Sequence, residues 1–581
     1  MNYKNKIKKE HIFLIFIILI IFCVFQYGIQ KICGFTMYPD EFGYWASAAE
    51  AVGYDWSEVA SLGSYYSFGY SLLLIPLLKL FSGGVSAYRA AIAVNMILMC
   101  ASVFLLCNIM NRMFPEIDKV KRVFVSGIAV FYPPWVFYMQ MTLAEALLLF
   151  LFTVLTSLFV SFIQKPRVMT AVVLGGLLVY TYCVHMRSVG VAIACVITLF
   201  FWGISNPAKR KIMLATLGVV AVAGLIMAVV KRNVIISVFS GVDAETLAIN
   251  DYASQMWKMK QILTLHGFRT FLKEIVAKLF YLGMASFGIV YWAIAWSVKE
   301  VYGLIKEAVS KDVNTSDVKR WMAMFLLLSL IGEILICSIY MHGSGKIDCL
   351  VYGRYNEFLV PVLIITGIAA MLRSRRIWQG TFVIGILSAG MLLPILSVIE
   401  EENLEGIRGY FIVGISYLIN ENDFEPQSFF RNTWILGVIL MIITAEVICI
   451  ARRYKDMGWL LGIIIIMEIV LGLIVSSNYT YKVNRTSFID LAIAEEIIKD
   501  SNDKTRVTYL DEGAPEFIDF QQMQLPDLPI HVIKGDAAGQ KEKLGDFLIV
   551  CYDTKQKDEL ERIYDSYIKT NTFILYFNQT D

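Results

Sequence analysis

Charge is scarce in this chain. Of its 581 residues 17% are Asp, Glu, Lys or Arg, against 57% hydrophobic, whereas a soluble globular chain carries about 25% charged residues. Water is therefore excluded as the main solvent, and lipid takes its place. Sustained two-residue alternation is missing as well. Runs such as Leu461 to Val475 show no period of two, which rules out an outer-membrane β-barrel. The net charge is only +2 and argues for neither nucleic acid nor an acidic partner. The ten cysteines lack CxxC or paired spacing. Most lie inside apolar runs (Cys23, Cys100, Cys107, Cys195, Cys337, Cys449) and read as small buried hydrophobes, so no disulfide framework or zinc site follows. Internal repeats and low-complexity tracts are also lacking, which weakens any analogy with repeat-built transporters.

What the chain has is apolar runs of spanning length. About thirteen spans are predicted, near 11–30, 85–110, 123–139, 142–163, 169–186, 188–204, 212–231, 274–298, 321–340, 357–372, 377–397, 432–450 and 457–475. The opening MNYKNKIKKE and the run from His11 to Gln30 are too long for a signal-peptide core and lack a small-residue cleavage site, so they read as a retained first span. Charge orients the set. With the amino terminus cytoplasmic, segments 1–10, 111–122, 164–168, 205–211, 299–320, 373–376 and 451–456 carry 24 Lys and Arg in 66 residues. Segments 33–84, 185–188, 231–273, 341–356 and 398–431 carry 12 in 149. Every short basic loop thus falls on one side, as cytoplasmic loops do. The apolar stretch Ser67 to Phe81 could count as a further span. It is short, contains Gly69 and Pro76, and would send NRMFPEIDKVKR outside, so a helix lying at the outer interface is more economical. The first outer loop then runs from 33 to 84 with interfacial helices starting near Glu41 and Phe68.

After Val475 the composition turns charged, and short β-like runs (Val507 to Leu510, His531 to Ile533, Phe547 to Tyr552, Thr572 to Phe577) alternate with helical stretches. The fold class is accordingly a polytopic α-helical membrane protein, residues 1–475, followed by a small extracytoplasmic α/β domain, 476–581. That tail has no Gly-rich phosphate loop and no nucleophile motif.

Few residues can carry chemistry. Tyr38-Pro39-Asp40-Glu41 places two carboxylates just beyond the first span, where Asp40 could take a proton from an acceptor or help hold a divalent cation. A helix cap with an acidic first turn fits the same letters. Glu145 stands at the outer end of the fourth span, in TLAEALLLF, where an acidic side chain is costly unless it faces a cavity or partner. Arg187, between two spans, and Arg354, in YGRYNE, lie on the same side. Each could grip a phosphate bidentately, and each could instead snorkel or, for Arg354, pair with Glu357. His342 beside Gly343 and Gly345 could join them or be incidental. Segments 232–273 and 398–431, the latter with Glu400, Glu401 and Glu402, read as interfacial helices with solvated faces rather than a site.

Taken in order, these features resemble the GT-C class of membrane glycosyltransferases, in particular the protein O-mannosyltransferase and aminoarabinose transferase branch. Pro39-Asp40-Glu41 resembles that branch's acidic residue after the first span, and Ser86-Ala87-Tyr88-Arg89 its entry to the second. Glu145 resembles the acidic residue opening its fourth span, Arg187 its basic residue in a "G-l-l-x-x-x-R" span, and Arg354-Tyr355 with Pro361 its "R-Y-x-x-x-x-x-P" span. The match covers residues 11–372. It departs at Tyr66-Ser67-Phe68-Gly69, where the aminoarabinose branch has a basic residue, and at 145, where Glu stands for Asp.

The resemblance implies sugar transfer from a polyprenyl-phosphate carrier, at the outer face of a bacterial plasma membrane, to a glycan, lipid or protein acceptor. Asp40 would be the general base or a metal ligand, with Glu41 and Glu145 completing the acidic site. Arg187 and Arg354, with His342, would meet the lipid phosphate. Metal dependence varies across the class, so a divalent ion on Asp40 and Glu145 is left open. The rival is a lipid-linked saccharide flippase or secondary transporter, to which Glu333, Glu446 and Glu468, set within apolar runs, would belong.

Overall fold

The computed structural model describes residues 8–578 apart from 64, 243–246, 248–254, 311–312, 421–422, 503 and 514–517. The start of the basic segment 1–10 and part of segment 232–273 therefore lie outside the described residues. Seventeen described helices have ten residues or more: α1 Lys9–Ile29, α2 Asp40–Val52, α3 Ser71–Leu80, α4 Gly84–Met113, α5 Lys119–Val130, α6 Ala144–Gln164, α7 Val168–Val184, α8 Val189–Ser205, α9 Arg210–Val238, α10 Leu265–Ala285, α11 Ile289–Ser310, α12 Val318–Met341, α13 Val360–Arg373, α14 Ile377–Glu401, α15 Pro426–Arg453, α16 Gly462–Asn478 and α17 Thr480–Asp500.

Every predicted run holds helix, but not every run is one straight span. Nine helices among the described residues are long and apolar enough to cross a membrane, or ten if α10 and α11 count as one broken span. Those two meet at 116°. Phe287 at φ 53° and Gly288 at φ 77° turn the chain between them, and an apolar run does not reveal such a turn. The run 123–139 is likewise two pieces, α5 and Pro133–Tyr138, because Pro133 and Pro134 supply no backbone N–H to continue α5. Segment 71–80 forms α3, which at ten residues reaches about 15 Å and cannot cross.

Ion pairs sort the loops by end. Glu116 takes both Lys319 at 3.5 Å and Arg373 at 3.1 Å, Lys119 meets Glu10 at 3.5 Å, and Trp202 Nε1 donates to Thr315 O at 3.1 Å. These join the basic loops at one end of the bundle. At the other end Lys273 bonds Glu401 at 2.6 Å and Arg408 bonds Asp348 at 2.8 Å.

Two glycines set the packing that matters for the site. A Cβ on Gly332 of α12 would stand 3.2 Å from Gly190 Cα of α8, so the two helices touch backbone to backbone. Glu333 Oε1 uses that approach to accept the Val191 N–H at 3.1 Å. Glu446 is exposed on α15, Glu468 is buried in α16, and no hydrogen bond or ion pair joins any two of Glu333, Glu446 and Glu468 among the described residues.

Past α16 the chain runs through α17 into a five-stranded sheet of β1 Val507–Asp511, β2 Ile530–Lys534, β3 Phe547–Cys551, β4 Ser566–Lys569 and β5 Phe573–Phe577, in the order β2-β1-β3-β5-β4. β2, β1 and β3 are parallel; β5 and β4 are antiparallel. β4 has a half-exposed alternating pattern and is the strand that the sequence reading missed.

The sheet unit docks on the first loop. Trp56 Nε1 donates to Pro526 O at 2.8 Å, Glu58 takes His531 at 2.8 Å and the Val532 N–H at 2.7 Å, and the Cys33 N–H donates to Asn484 Oδ1 at 2.8 Å. The short helix Ile518–Gln524 approaches so closely that a Cβ on Gly84 would lie 2.3 Å from Met523 O.

Candidate active site

The site begins at two helix starts. Asp40 opens α2 and Glu145 lies in the first turn of α6, where the peptide dipoles favour a carboxylate. Arg354 comes from the loop between α12 and α13. Gly353 must be glycine because a Cβ there would lie 2.1 Å from the Tyr281 ring, and the Gly353 and Arg354 N–H groups both donate to Phe411 O, at 3.2 and 3.4 Å. That loop holds the guanidinium between the two carboxylates. Its Nη2 donates to Asp40 and its Nε to Glu145 Oε1 at 2.5 Å, while its carbon sits 4.7 Å above the Tyr38 ring.

Arg187 completes the cluster, donating from Nη2 to the same Glu145 oxygen at 2.8 Å. Its Nε and Nη1, and Glu145 Oε2, find no hydrogen-bond partner among the described residues. Burial is deep: side-chain exposure is 1% for Arg187, 2% for Glu145, 5% for Arg354 and 14% for Asp40. Burial opposes the charge on Arg354, yet Asp40 and Glu145 beside it hold its affinity for the proton well above the ordinary arginine value. Two anions and two cations thus make a neutral buried quartet, in which loss of one member costs about 3–5 kcal/mol.

Asp40, Arg187 and Arg354 line a cavity of about 410 Å³, walled also by Tyr44, Tyr66, Tyr352 and Tyr355. Arg187 lies 5.0 Å from the Tyr355 ring centre. A second cavity of about 440 Å³ runs between α7, α8 and α9, mostly apolar, with Lys231 on its wall. Tyr65, Ser67 and Met186 line both, so the polar chamber adjoins the apolar groove.

The sequence-predicted residues divide. Asp40, Glu145, Arg187 and Arg354, spread over 315 positions of the chain, come together. Glu41 points elsewhere: its carboxylate accepts from Thr36 N and Oγ1 at 2.8 and 2.5 Å, Tyr88 OH at 2.5 Å, and Thr142 N and Oγ1 at 2.8 and 2.7 Å. With both oxygens so engaged it ties α2 to α4 and to the start of α6. His342 bonds Glu274 at 3.1 Å on a separate cavity of about 350 Å³. Glu357, offered as a partner for Arg354, instead accepts from Tyr138 OH at 2.7 Å and from Tyr281 OH. Sequence reasoning passed over Arg408, on the wall of the polar chamber, and Lys231; both sit in ordinary charged loop or helix-end contexts.

No group of three or more His, Cys, Asp or Glu that could hold a metal occurs among the described residues. Asp40 and Glu145 have a guanidinium between them, so the pair as arranged does not fit a divalent cation.

No protein-family model matches the chain, and no curated protein does. Solved structures do. ArnT from Cupriavidus metallidurans bound to undecaprenyl phosphate aligns at TM-score 0.52 and 12% identity over 97% of both chains. The apo state of that protein aligns at 0.48 and 13%, again over 97% of both. The archaeal oligosaccharyltransferase AglB from Archaeoglobus fulgidus, in complex with an inhibitory peptide and a dolichol-phosphate, aligns at 0.44 and 11%, over 95% of this chain and 70% of its own. The first of these likenesses establishes a GT-C-like membrane fold for nearly the whole chain.

Proposed function

We propose that the protein is a glycosyltransferase that moves a sugar from a polyprenyl-phosphate carrier to a hydroxyl-bearing acceptor at the non-cytoplasmic face of a bacterial plasma membrane. The observation that carries this reading is the juxtaposition of the buried Asp40–Arg354–Glu145–Arg187 cluster with an apolar groove of about 440 Å³. A polar chamber joined to a lipid-compatible groove suits a substrate with a charged head and an isoprenoid tail. ArnT, whose fold is shared, was solved with undecaprenyl phosphate, which agrees with that substrate class.

In this reading the tail lies along α7, α8 and α9, and the phosphate enters beside the free Nε–H and Nη1–H of Arg187, with Lys231 near the chamber mouth. Asp40 accepts the proton of the acceptor hydroxyl as its oxygen forms a bond to the sugar's C1. The bond from C1 to the phosphate oxygen breaks, its electron pair leaves on the phosphate, and the guanidinium groups meet the charge developing there. Arg354 holds Asp40 in place and links it to Glu145. No step passes through a metal. The basic end of the bundle, with the amino terminus, faces the cytoplasm. The membrane part, 1–475, then carries the site outward beside the α/β unit, 476–581.

The test is release of free polyprenyl phosphate from a panel of polyprenyl-phosphate sugars by purified protein in lipid, native against Asp40→Asn. The native chain should turn over at least one donor, with a loss of about 10²–10⁴-fold on substitution, the range of a general base. Equal turnover by both proteins, or none by either while both bind lipid-linked saccharide, overturns the reading and directs attention to a flippase assay.

A further inference from the structure

A fourth cavity, a chamber of about 490 Å³, shares Tyr66 with the polar one. Its walls come from three distant parts of the chain. Phe42, Leu62, Gly63 and Tyr66 belong to the first loop, Phe239 follows α9, and Asp519 belongs to the sheet unit. Tyr66 lines both chambers and packs against the first turn of α2, where a Cβ on Gly43 would stand 2.1 Å from its ring. Burial pushes the Tyr66 hydroxyl up, and Asp40 on one side and Asp519 on the other push it the same way. Asp40 lines the polar chamber and Asp519 the other, and Tyr66 is a wall of both.

We infer that this chamber binds the acceptor, and that the acceptor end it takes is a sugar ring whose free hydroxyl passes Tyr66 to reach Asp40. The assignment rests on the transferase reading above and gives its acceptor a chemical class. Three observations favour a saccharide over an acyl chain or a peptide. The aromatic walls are preset: Phe42 stacks on Trp56 at 5.6 Å and 8°, and Trp56 is itself bonded to Pro526. Such flat faces suit the C–H side of a pyranose. The polar contribution of the sheet unit is one carboxyl group, Asp519, whose Oδ1 accepts the Phe520 N–H at 2.8 Å; an alkyl chain would desolvate its other oxygen, which a sugar hydroxyl would satisfy. The tail-shaped groove lies elsewhere, along α7 to α9. Burial, with the Glu41 carboxylate adding to it, raises Asp519 to about 7, so near neutral pH it can either donate to or accept from a hydroxyl.

The chamber is also incomplete without the carboxy-terminal unit. That gives docking of the sheet unit on Cys33, Trp56, Glu58 and Gly84 a purpose beyond packing, since a displaced unit would take Asp519 with it.

The experiment uses the full chain in lipid nanodiscs and two readouts. In the first, saturation-transfer NMR measures binding of a panel of methyl hexosides and methyl pentosides, with an octyl chain-only alcohol and a short Ser/Thr peptide as the competing chemistries. At least one glycoside should bind the native chain and Asp40→Asn. Binding should fall about tenfold or more in Asp519→Asn and in Gly63→Phe. Gly63 lines the chamber, and a Cβ there meets nothing closer than Ala60 O at 3.8 Å, so the backbone takes a side chain at the chamber wall without a clash. In the second, the same glycosides should raise polyprenyl phosphate release, with Asp519→Asn raising the KM for the glycoside more than it lowers kcat. Binding of the peptide or the alcohol instead, or glycoside binding untouched by both variants, overturns the inference. Glycoside binding with no donor turnover leaves the chamber standing and removes the transferase; donor turnover with no glycoside binding does the reverse.

Discussion

Arg354 is the residue on which the site depends most. Its guanidinium is a fork, and the fork is used: one nitrogen serves Asp40 at the start of α2 and another serves Glu145 at the start of α6. An ammonium on a flexible stem offers the same charge as a point and cannot hold two carboxylates from different helices in one plane. Arg354→Lys should therefore keep the quartet neutral but release Asp40 from its fixed orientation. The expected result is a fall in kcat of about 10²-fold or more with little change in donor KM, read by the polyprenyl phosphate release assay. A rise in KM alone would instead place Arg354 in donor binding. These residues were legible beforehand because an ionised side chain at an apolar helix end costs free energy unless something nearby answers it. Asp40, Glu145, Arg187 and Arg354 answer one another. The same logic overreached for Glu41, whose answer is local hydroxyl and amide donors, and it had no purchase on Asp519, Lys231 or Arg408, which stand among other charged residues.

At the scale of elements, the junctions carry more information than the spans. Hydrophobic runs sufficed to find the helices and the basic loops to sort their ends, since both follow from transfer cost alone. Breaks within runs depend on backbone geometry at one or two positions. Phe287 and Gly288, with positive φ, turn α10 away from α11, and nothing in the apolar letters around them marks the place. Docking of the sheet unit is equally local. A Cβ on Gly84 would lie 2.3 Å from Met523 O and 2.6 Å from Gln524 Oε1, and backbone cannot move aside as a side chain can. Gly84→Val should lift the helix Ile518–Gln524 off α4 while α4 itself, where valine is tolerated as a helix residue in an apolar setting, stays in the bundle. Hydrogen exchange should rise at 518–524 with the spans unaffected. Unchanged exchange there would mean that Trp56 and Glu58 hold the unit without this contact.

The whole molecule is polarised, with basic loops at one end and the buried quartet, the chambers and the sheet unit at the other. Its dependence on pH should be felt at the seam between sheet unit and first loop, where Asp519 stands. Folding raises that carboxyl from the ordinary aspartate range to about 7, burial being the main cause and the Glu41 carboxylate the next. The native state then binds a proton that the undocked state has released at any pH between about 4 and 7, so docking is strongest in acid and weakens as pH rises through that window. Above pH 7 both states are ionised and the slope vanishes. Asp519→Asn removes the titration and should flatten the curve, leaving the variant better docked than the native chain at pH 8, by less at pH 5, and no better below about pH 4. Exchange rates at 518–524, corrected for the intrinsic effect of pH on exchange, would report it residue by residue in the full chain in lipid. A native chain with the opposite slope would place the ionised carboxylate, rather than the neutral acid, as the form that the seam is built to hold, and the hydroxyl partner assigned to Asp519 would then have to be a donor only.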